Sequence, residues 1–401
     1  MLFKDIIGQA EVKDQLLDLV QHNRLSHALI FLGREGAGAL PLALAFADYI
    51  SLTPRTRHTS ASLFGEAPET TAVLPANPDE ADSWMQKQEG YTKIKDLVHP
   101  DIHFSYPVIT KKPGTAPLST DYINEWREFI KSYPYGNVYD WLQFIGAENK
   151  QGNITAHECN DIIRKLSLKS FESEYKTLLM WMPEYLGNEG NKLLKLIEEP
   201  PPNTLFILVA ENESQILPTI LSRCQLIRIP ALETVEIEKA LIARNKTEAN
   251  LARQAASVSE GNYREALQML QHADEDWQGF LRDWLNAVLK TGPVAQTKWV
   301  EEISKLGRER QKQFLRYFNH LLEQAIRLEI MGDSFYLPEK ERDFAERLNK
   351  IAGLSQQQAI IEELDKAAYY IERNANAKIL FHALTIKLYH IIQDKIVFLT
   401  T

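Results

Sequence analysis

The chain has very few cysteines and no long apolar run. Its 401 residues include two cysteines, Cys159 and Cys224, so neither a disulfide framework nor a four-cysteine zinc site can form within one chain. No apolar stretch is long enough to span a membrane, and the N-terminus lacks the charged-then-apolar layout of a signal peptide. We therefore expect a cytoplasmic protein with no zinc or other metal site.

Positive charge is also in short supply. The chain has 45 Lys and Arg against 54 Asp and Glu, a net charge of −9. Proteins whose main task is to grip phosphate backbones are usually basic, so any contact with DNA must come from a local patch. One candidate patch comprises Lys305, Arg308, Arg310 and Lys312. A solvated helix face explains these four residues at least as well.

A phosphate-binding loop begins near the N-terminus but lacks its last two functional side chains. Gly33, Gly36 and Gly38 have the glycine spacing of such a loop and directly follow a short apolar run. A complete loop continues with Lys, which neutralises the outer phosphates, and then Ser or Thr, which ligates Mg²⁺. Here Ala39 and Leu40 follow instead, so we predict that no nucleotide cofactor is bound. The alternative is a chance glycine pattern before a helix.

A second nucleotide-handling position also lacks its functional side chain. In ATPases with such a loop, an Asp that closes a buried strand holds Mg²⁺. The apolar run at 177–181 closes instead on Met182, which cannot ligate a hard cation, and Glu184 is the only carboxylate nearby. The alternative is an ordinary core strand with no ATPase ancestry.

Five short apolar runs indicate a buried parallel sheet. Because helical patterns separate them, the first 230 residues are predicted to form an α/β domain covered on both faces. An irregular loop is expected at 53–90, and an aromatic-rich insertion at 110–152 with helices near 123–130 and 139–144. After Pro230 only amphipathic helices follow, which we divide into domains at 231–275 and 276–401. The predicted strands are 28–32, 102–104, 177–181, 205–210 and 226–229.

The segment Ser222-Arg223-Cys224 follows a predicted helix and precedes the last strand. An Arg at such a surface can reach a neighbour's phosphates, because its planar fork binds phosphate through two hydrogen bonds and stays charged. The alternative is an Arg that caps helix carbonyls or makes a surface ion pair.

These pieces occur in a family's order, and together they resemble the clamp-loader family of AAA+ proteins. Residues 193–201 resemble its "LLK-LEEPP" helix, 222–224 its "SRC" motif and 260–267 its sensor helix. The resemblance implies an AAA+ P-loop-type core, a small helical lid at 231–275 and an all-α collar at 276–401. Relatives usually carry a four-cysteine zinc module after the loop helix, which this chain lacks.

The resemblance implies an ATPase-deficient subunit of the DNA polymerase III clamp loader, not an enzyme by itself. Its partners would be the gamma or tau and delta subunits, with the beta sliding clamp and primer-template DNA reached through the complex. Arg223 would act as an arginine finger on a neighbour's ATP, with Ser222 and Cys224 serving local structure. Arg264 matches a nucleotide sensor, but a structural ion pair is the expectation. The rival functions are a gamma- or tau-like subunit that hydrolyses ATP, and an AAA+ DNA-binding adapter outside the replisome.

Overall fold

The structure is a computed structural model. It describes residues 1–54, 74–111, 114–147, 150–271, 276–332, 339–372 and 375–395. The described chain divides into two compact units, 1–267 and 268–401.

The first unit is built around a five-stranded parallel sheet in which strand β1 lies between β4 and β5. The full order is β2-β3-β4-β1-β5, and every pairing is parallel. All five predicted strands are therefore confirmed, as is the α/β fold class. The strands are β1 (Ala28–Gly33), β2 (Ile102–Ser105), β3 (Lys176–Trp181), β4 (Thr204–Ala210) and β5 (Gln225–Ile229).

Both faces of this sheet are buried at its centre, which explains why β1 and β4 are continuously apolar. Leu29 and Phe31 point into one core, which includes most of the helix at Ala39–Leu52. Ala28 and Ile30 point into a second core on the opposite face. Because successive strand residues face opposite sides, a strand covered on both sides is apolar at every position.

Twelve α-helices are described that begin in the first unit, the last of them extending past its end. They are α1 (Ala10–Gln21), α2 (Ala39–Leu52), α3 (Pro78–Met85), α4 (Tyr91–Lys95), α5 (Ile123–Ser132), α6 (Val138–Phe144), α7 (Ala156–Leu166), α8 (Leu194–Glu198), α9 (Pro218–Leu221), α10 (Thr234–Asn245), α11 (Ala249–Val258) and α12 (Tyr263–Gln271).

The segment predicted as an irregular loop at 53–90 differs from the expectation in its second half. Residues 55–73 lie outside the described residues, but Pro78–Met85 forms helix α3. Asn77 caps its first turn, and the Asp82 carboxylate accepts hydrogen bonds from the backbone N–H groups of Phe3 and Lys4. Sequence periodicity missed this helix because it is short and is held by a contact with the N-terminus.

The insertion is folded, as predicted, around helices α5 and α6. Trp126, Phe129 and Trp141 are fully buried, with Trp126 and Trp141 edge-to-face at 5.4 Å. Tyr133 and Phe144 remain 48% and 37% exposed at the edge of this group. The aromatic side chains of the insertion thus pack mainly within the fold.

The second unit is entirely helical where it is described. Its apolar core is built around Trp284, Trp299 and Phe314, with the two indole rings stacked at 4.4 Å. The boundary between the units falls inside α12, so the division at 230 and 275 into lid and collar stays a prediction. The α-helices described in the second unit are α13 (Trp277–Asn286), α14 (Pro293–Lys305), α15 (Arg308–Met331), α16 (Glu339–Ile351), α17 (Leu354–Glu372) and α18 (Ala377–Gln393).

Candidate functional site

The glycine loop lies at the carboxyl end of β1, and it requires glycine at two positions. Gly33 is the last residue of β1, and Ala39 is the first of α2. Gly36 and Gly38 have φ angles of +71° and +93°, in the left-handed region that side chains disfavour. The loop therefore turns through two left-handed glycines, and its origin as a phosphate-binding loop stays a prediction.

The two positions that follow the loop face the protein interior. Ala39 and Leu40 are 7% and 5% exposed and belong to the apolar core on one face of the sheet. Helix α2 therefore presents buried hydrocarbon where a working loop has an ammonium and a hydroxyl. Neither side chain can neutralise a phosphate or ligate Mg²⁺.

Side chains from distant segments close on this loop. Gln9 Nε2 donates to the carbonyl of Ala37 at 3.1 Å and to that of Pro230 at 2.7 Å. Asn262 Oδ1 lies 1.8 Å from where a Cβ on Gly36 would stand, and a Tyr135 ring carbon lies 3.1 Å from the same point on Gly38. Protein atoms thus pack against the loop at both left-handed glycines.

Arg264 forms a buried ion pair beside the loop. Its guanidinium donates from Nε and Nη2 to the two oxygens of Asp140 at 2.5 and 2.6 Å, and from Nη1 to Glu35 at 3.1 Å. The arginine is 4% exposed. Arg264 is thus engaged in an ion pair here, and its purely structural role stays a prediction.

Three insertion residues that the sequence does not mark as site residues reach the loop region. Asn137 Nδ2 donates to Glu35 at 3.0 Å, Asp140 binds Arg264, and the Tyr135 hydroxyl accepts from the backbone N–H of Ile7 at 2.8 Å. The spacing of Asn137 and Asp140 is a local capping signal, and both form the capping box of α6. No local signal links them to an arginine 124 positions away.

Met182 and Glu184 follow the carboxyl end of β3, where both make hydrogen bonds within the fold. Met182 is 7% exposed and donates its N–H to the Val209 carbonyl at 2.8 Å. Glu184 accepts hydrogen bonds from the backbone N–H groups of Glu211 and Asn212 at 2.7 and 2.8 Å. Burial raises the pKa of the Glu184 carboxyl, although these N–H groups oppose the shift. Glu184 thus ties two strand ends together.

Arg223 lies just beyond α9, at the edge of a surface cleft of about 460 Å³ that His27 and Ile197 also line. Its Nε donates to Glu198 at 2.6 Å and its Nη1 donates to the Thr219 carbonyl at 2.7 Å. The side chain is 34% exposed. In this isolated chain Arg223 therefore makes both contacts of the alternative interpretation, a helix cap and a surface ion pair.

The neighbours of Arg223 have local roles. Ser222 Oγ donates to the Thr219 carbonyl at 3.2 Å and accepts from Arg223 Nη1 at 3.2 Å. Cys224 packs against the core on the β1 face that contains Ile30, and burial raises the pKa of its thiol to about 12. The thiol is therefore protonated and unreactive at neutral pH.

The described residues lack two features that would bear on the function. They contain no group of three or more His, Cys, Asp or Glu side chains that could hold a metal ion. No helix among them is both long and apolar enough to cross a membrane.

Several known proteins are similar in sequence to parts of this chain. A family model described as "DNA polymerase III, delta subunit" matches residues 70–233. The delta-prime subunit of DNA polymerase III from Bacillus subtilis is 24% identical over 261 residues, which is 65% of this chain and 59% of that protein. Over part of its length, the chain is thus similar to delta-prime subunits of DNA polymerase III.

Other subunits of the same polymerase also match. The tau subunit of Bacillus subtilis is 24% identical over 80% of this chain and 46% of its own length. The delta-prime subunit of Haemophilus influenzae is 56% identical over 36 residues, which is 9% of this chain and 11% of that protein. The chain thus spans less than two thirds of the length of each of these three relatives: 59%, 46% and 11%.

Among solved structures, two from Thermotoga maritima are similar. A DNA polymerase III gamma subunit-related protein is 14% identical, with 94% of this chain and 99% of that chain covered and a TM-score of 0.35. The RuvB Holliday junction branch migration motor is 11% identical, with 82% and 79% covered and a TM-score of 0.36.

Proposed function

We propose that this chain is an ATPase-deficient subunit of a DNA polymerase III clamp loader. The observation that supports this most directly is the pair of buried apolar side chains, Ala39 and Leu40, at the end of an otherwise intact glycine loop. Hydrogen bonds to charged groups contribute about 1.5–3 kcal/mol each, so the two missing contacts remove several kcal/mol of ATP–Mg²⁺ affinity. The chain would then serve its neighbours instead of turning over ATP.

The chain would contribute Arg223 as an arginine finger at the ATP site of a neighbouring subunit. The Arg223 side chain is 34% exposed at the edge of the cleft, where its guanidinium pairs with Glu198. An exposed ion pair contributes little stability, so a phosphate of the neighbour can replace Glu198 at small cost. An arginine in that position stabilises the charge that develops during phosphoryl transfer.

The neighbours would be the gamma or tau and delta subunits, joined in a ring through the C-terminal helices. The complex would open the beta sliding clamp and place it on primed DNA. Two features support this assignment: the match to delta-prime and tau subunits, and the motif at residues 222–224 that follows α9.

The test is ATP turnover by the reconstituted loader that contains Arg223→Ala. We expect the chain to fold and assemble, while clamp- and DNA-stimulated ATPase falls, because the site that depends on this finger loses about 10³-fold or more of its rate. Arg228→Ala is the matched control, since Arg228 is also a surface arginine, with 71% of its side chain exposed. Unchanged turnover with Arg223→Ala would remove the proposed role.

Two rival functions have their own tests. A gamma- or tau-like subunit that hydrolyses ATP would bind ATP–Mg²⁺ at micromolar strength in calorimetry on the full chain, where we expect no binding. An AAA+ adapter outside the replisome would fail to co-purify with the gamma, tau or delta subunits. Co-purification with them is our expectation.

A further inference from the structure

The insertion makes contacts with the glycine loop that have the chemistry of a bound phosphate. Arg264 holds Asp140 through two parallel N–H···O bonds at 2.5 and 2.6 Å. Arginine binds carboxylates and phosphates with the same two-bond geometry, so Asp140 offers the oxygens that a nucleotide phosphate would offer. Glu35, inside the loop itself, takes the third bond at 3.1 Å.

We propose that the insertion turn at residues 135–140 acts as a built-in substitute for nucleotide, which fastens the glycine loop to the start of α12. Asp140 binds Arg264 near the start of α12, and Asn137 binds Glu35 in the loop. Asn262, just before α12, donates to Glu35 at 3.2 Å, and the N–H of Tyr263 donates to the Gly36 carbonyl at 3.2 Å. The loop, the turn and the helix thus form a closed ring of contacts.

A second set of contacts comes from Tyr135 and does not depend on charge. Its ring packs edge-to-face on Tyr263 at 5.0 Å and lies against Gly38, and its hydroxyl accepts from Ile7 N–H at 2.8 Å. Tyr135 is only 6% exposed, and its buried hydroxyl is satisfied by the hydrogen bond from Ile7. The turn therefore contacts the loop, the N-terminal segment and α12 at once.

The formal charges at this junction also oppose a phosphate ligand. Glu35 and Asp140 together carry two negative charges against the single positive charge of Arg264. A triphosphate entering beside the loop would meet a net negative charge and a guanidinium that is already engaged. The inference rests on the part of the proposed function that leaves this loop without nucleotide, and it adds what replaces the nucleotide.

The test is hydrogen exchange at the backbone amides of residues 263–267 in the full chain. Asp140→Asn keeps the shape of the side chain but removes its charge, and we expect these amides to exchange about tenfold faster or more. Glu125→Gln is the matched control, because Glu125 belongs to the same insertion and pairs with Lys111 at 2.9 Å near the surface. Unchanged exchange with Asp140→Asn, or an equal change with Glu125→Gln, would overturn the proposal.

A double-mutant cycle with Arg264→Gln distinguishes loss of the Asp140–Arg264 ion pair from general destabilisation of the fold. If Asp140 acts through Arg264, the double variant accelerates exchange by less than the product of the two single effects. Independent effects would contradict the proposal. Should these variants fail to fold, Tyr135→Phe removes only the hydroxyl and is expected to accelerate exchange at Ile7 and at 263–267 together. Acceleration at Ile7 alone would also contradict it.

The outcome of this experiment does not depend on the outcome of the test of the proposed function. Exchange at 263–267 reports the internal tie in the isolated chain, whereas ATP turnover of the reconstituted loader reports the finger at Arg223. A chain could lend Arg223 without the tie, or hold the tie without lending Arg223.

Discussion

His320 lies in the interior of the C-terminal unit, on helix α15, and 5% of its surface is exposed. Burial lowers its pKa from 6.5 to about 4, and the charge of Arg327 adds to the shift. In the unfolded chain the imidazole titrates near its ordinary value, so between pH 6.5 and 4 the unfolded state binds a proton that the folded state does not. The free energy of unfolding therefore falls as the pH falls through this window.

We predict that His320 makes the C-terminal unit lose up to about 3 kcal/mol of stability between pH 7 and pH 4. The measurement is hydrogen exchange in α15 for the full chain and for His320→Gln, compared with each other at each pH. The stability of the variant should depend less steeply on pH, since the glutamine does not titrate. Equal pH dependence in the two proteins would rule out His320 as the cause.

A comparison of alanine substitutions at Gly36 and Gly146 separates the cost of backbone strain from the cost of a steric clash. Both have positive φ angles, +71° and +69°, so alanine is strained at either position. A Cβ on Gly36 would stand 1.8 Å from Asn262 Oδ1, whereas a Cβ on Gly146 would have no heavy atom within 4 Å. The two substitutions therefore share the strain and differ in the clash.

We predict that Gly36→Ala lowers the free energy of unfolding by about 1–3 kcal/mol more than Gly146→Ala does. Chemical denaturation of both full-length variants measures the difference, which reports how tightly Asn262 packs on the loop. Equal losses would mean that the loop moves away from Asn262 without cost.

At the scale of elements, the strands and the insertion helices were predictable because their signals are local. Each strand is a short apolar run, and Val138–Phe144 begins with a capping box within four residues. The tie between loop and insertion was not predictable, because Asn137 and Glu35 are 102 positions apart and Arg264 and Glu35 are 229 apart. Only the folded sheet brings such pairs together.

The glycine loop and helix α2 form one element, and restoring its missing side chains tests what closes the site. We predict that Ala39→Lys combined with Leu40→Thr does not restore ATP–Mg²⁺ binding, because Glu35 and Asp140 still engage Arg264. Both positions are buried, so we also expect a loss of about 2–4 kcal/mol in unfolding free energy. Calorimetry and chemical denaturation measure the two effects.

Leu40→Ala is the control for packing alone, since it removes apolar contacts without adding a polar group. Micromolar ATP binding by the restored loop would show that the two missing side chains are the whole defect. It would then contradict the view that the insertion also closes the site.

At the scale of the whole molecule, the charge distribution bears on direct DNA binding. The net charge is −9. The basic patch at residues 305–312 presents less positive charge to solvent in the folded chain than the sequence suggests. Lys312 is 6% exposed and lies 3.7 Å from Glu309, so it does not face solvent as a free cation. Lys305 remains exposed at the end of α14.

We predict that the isolated full chain binds primer-template DNA more weakly than about 1 µM at physiological salt. Each phosphate contact adds about −0.9 to the slope of log affinity against log salt, so few contacts give a shallow slope. Titration at several salt concentrations measures both quantities. Lys305→Gln is the control, and it should leave both unchanged. Sub-micromolar binding with a steep slope would show that this acidic chain concentrates its cations on a DNA-binding face, and it would favour the adapter function over a loader subunit that meets DNA through its partners.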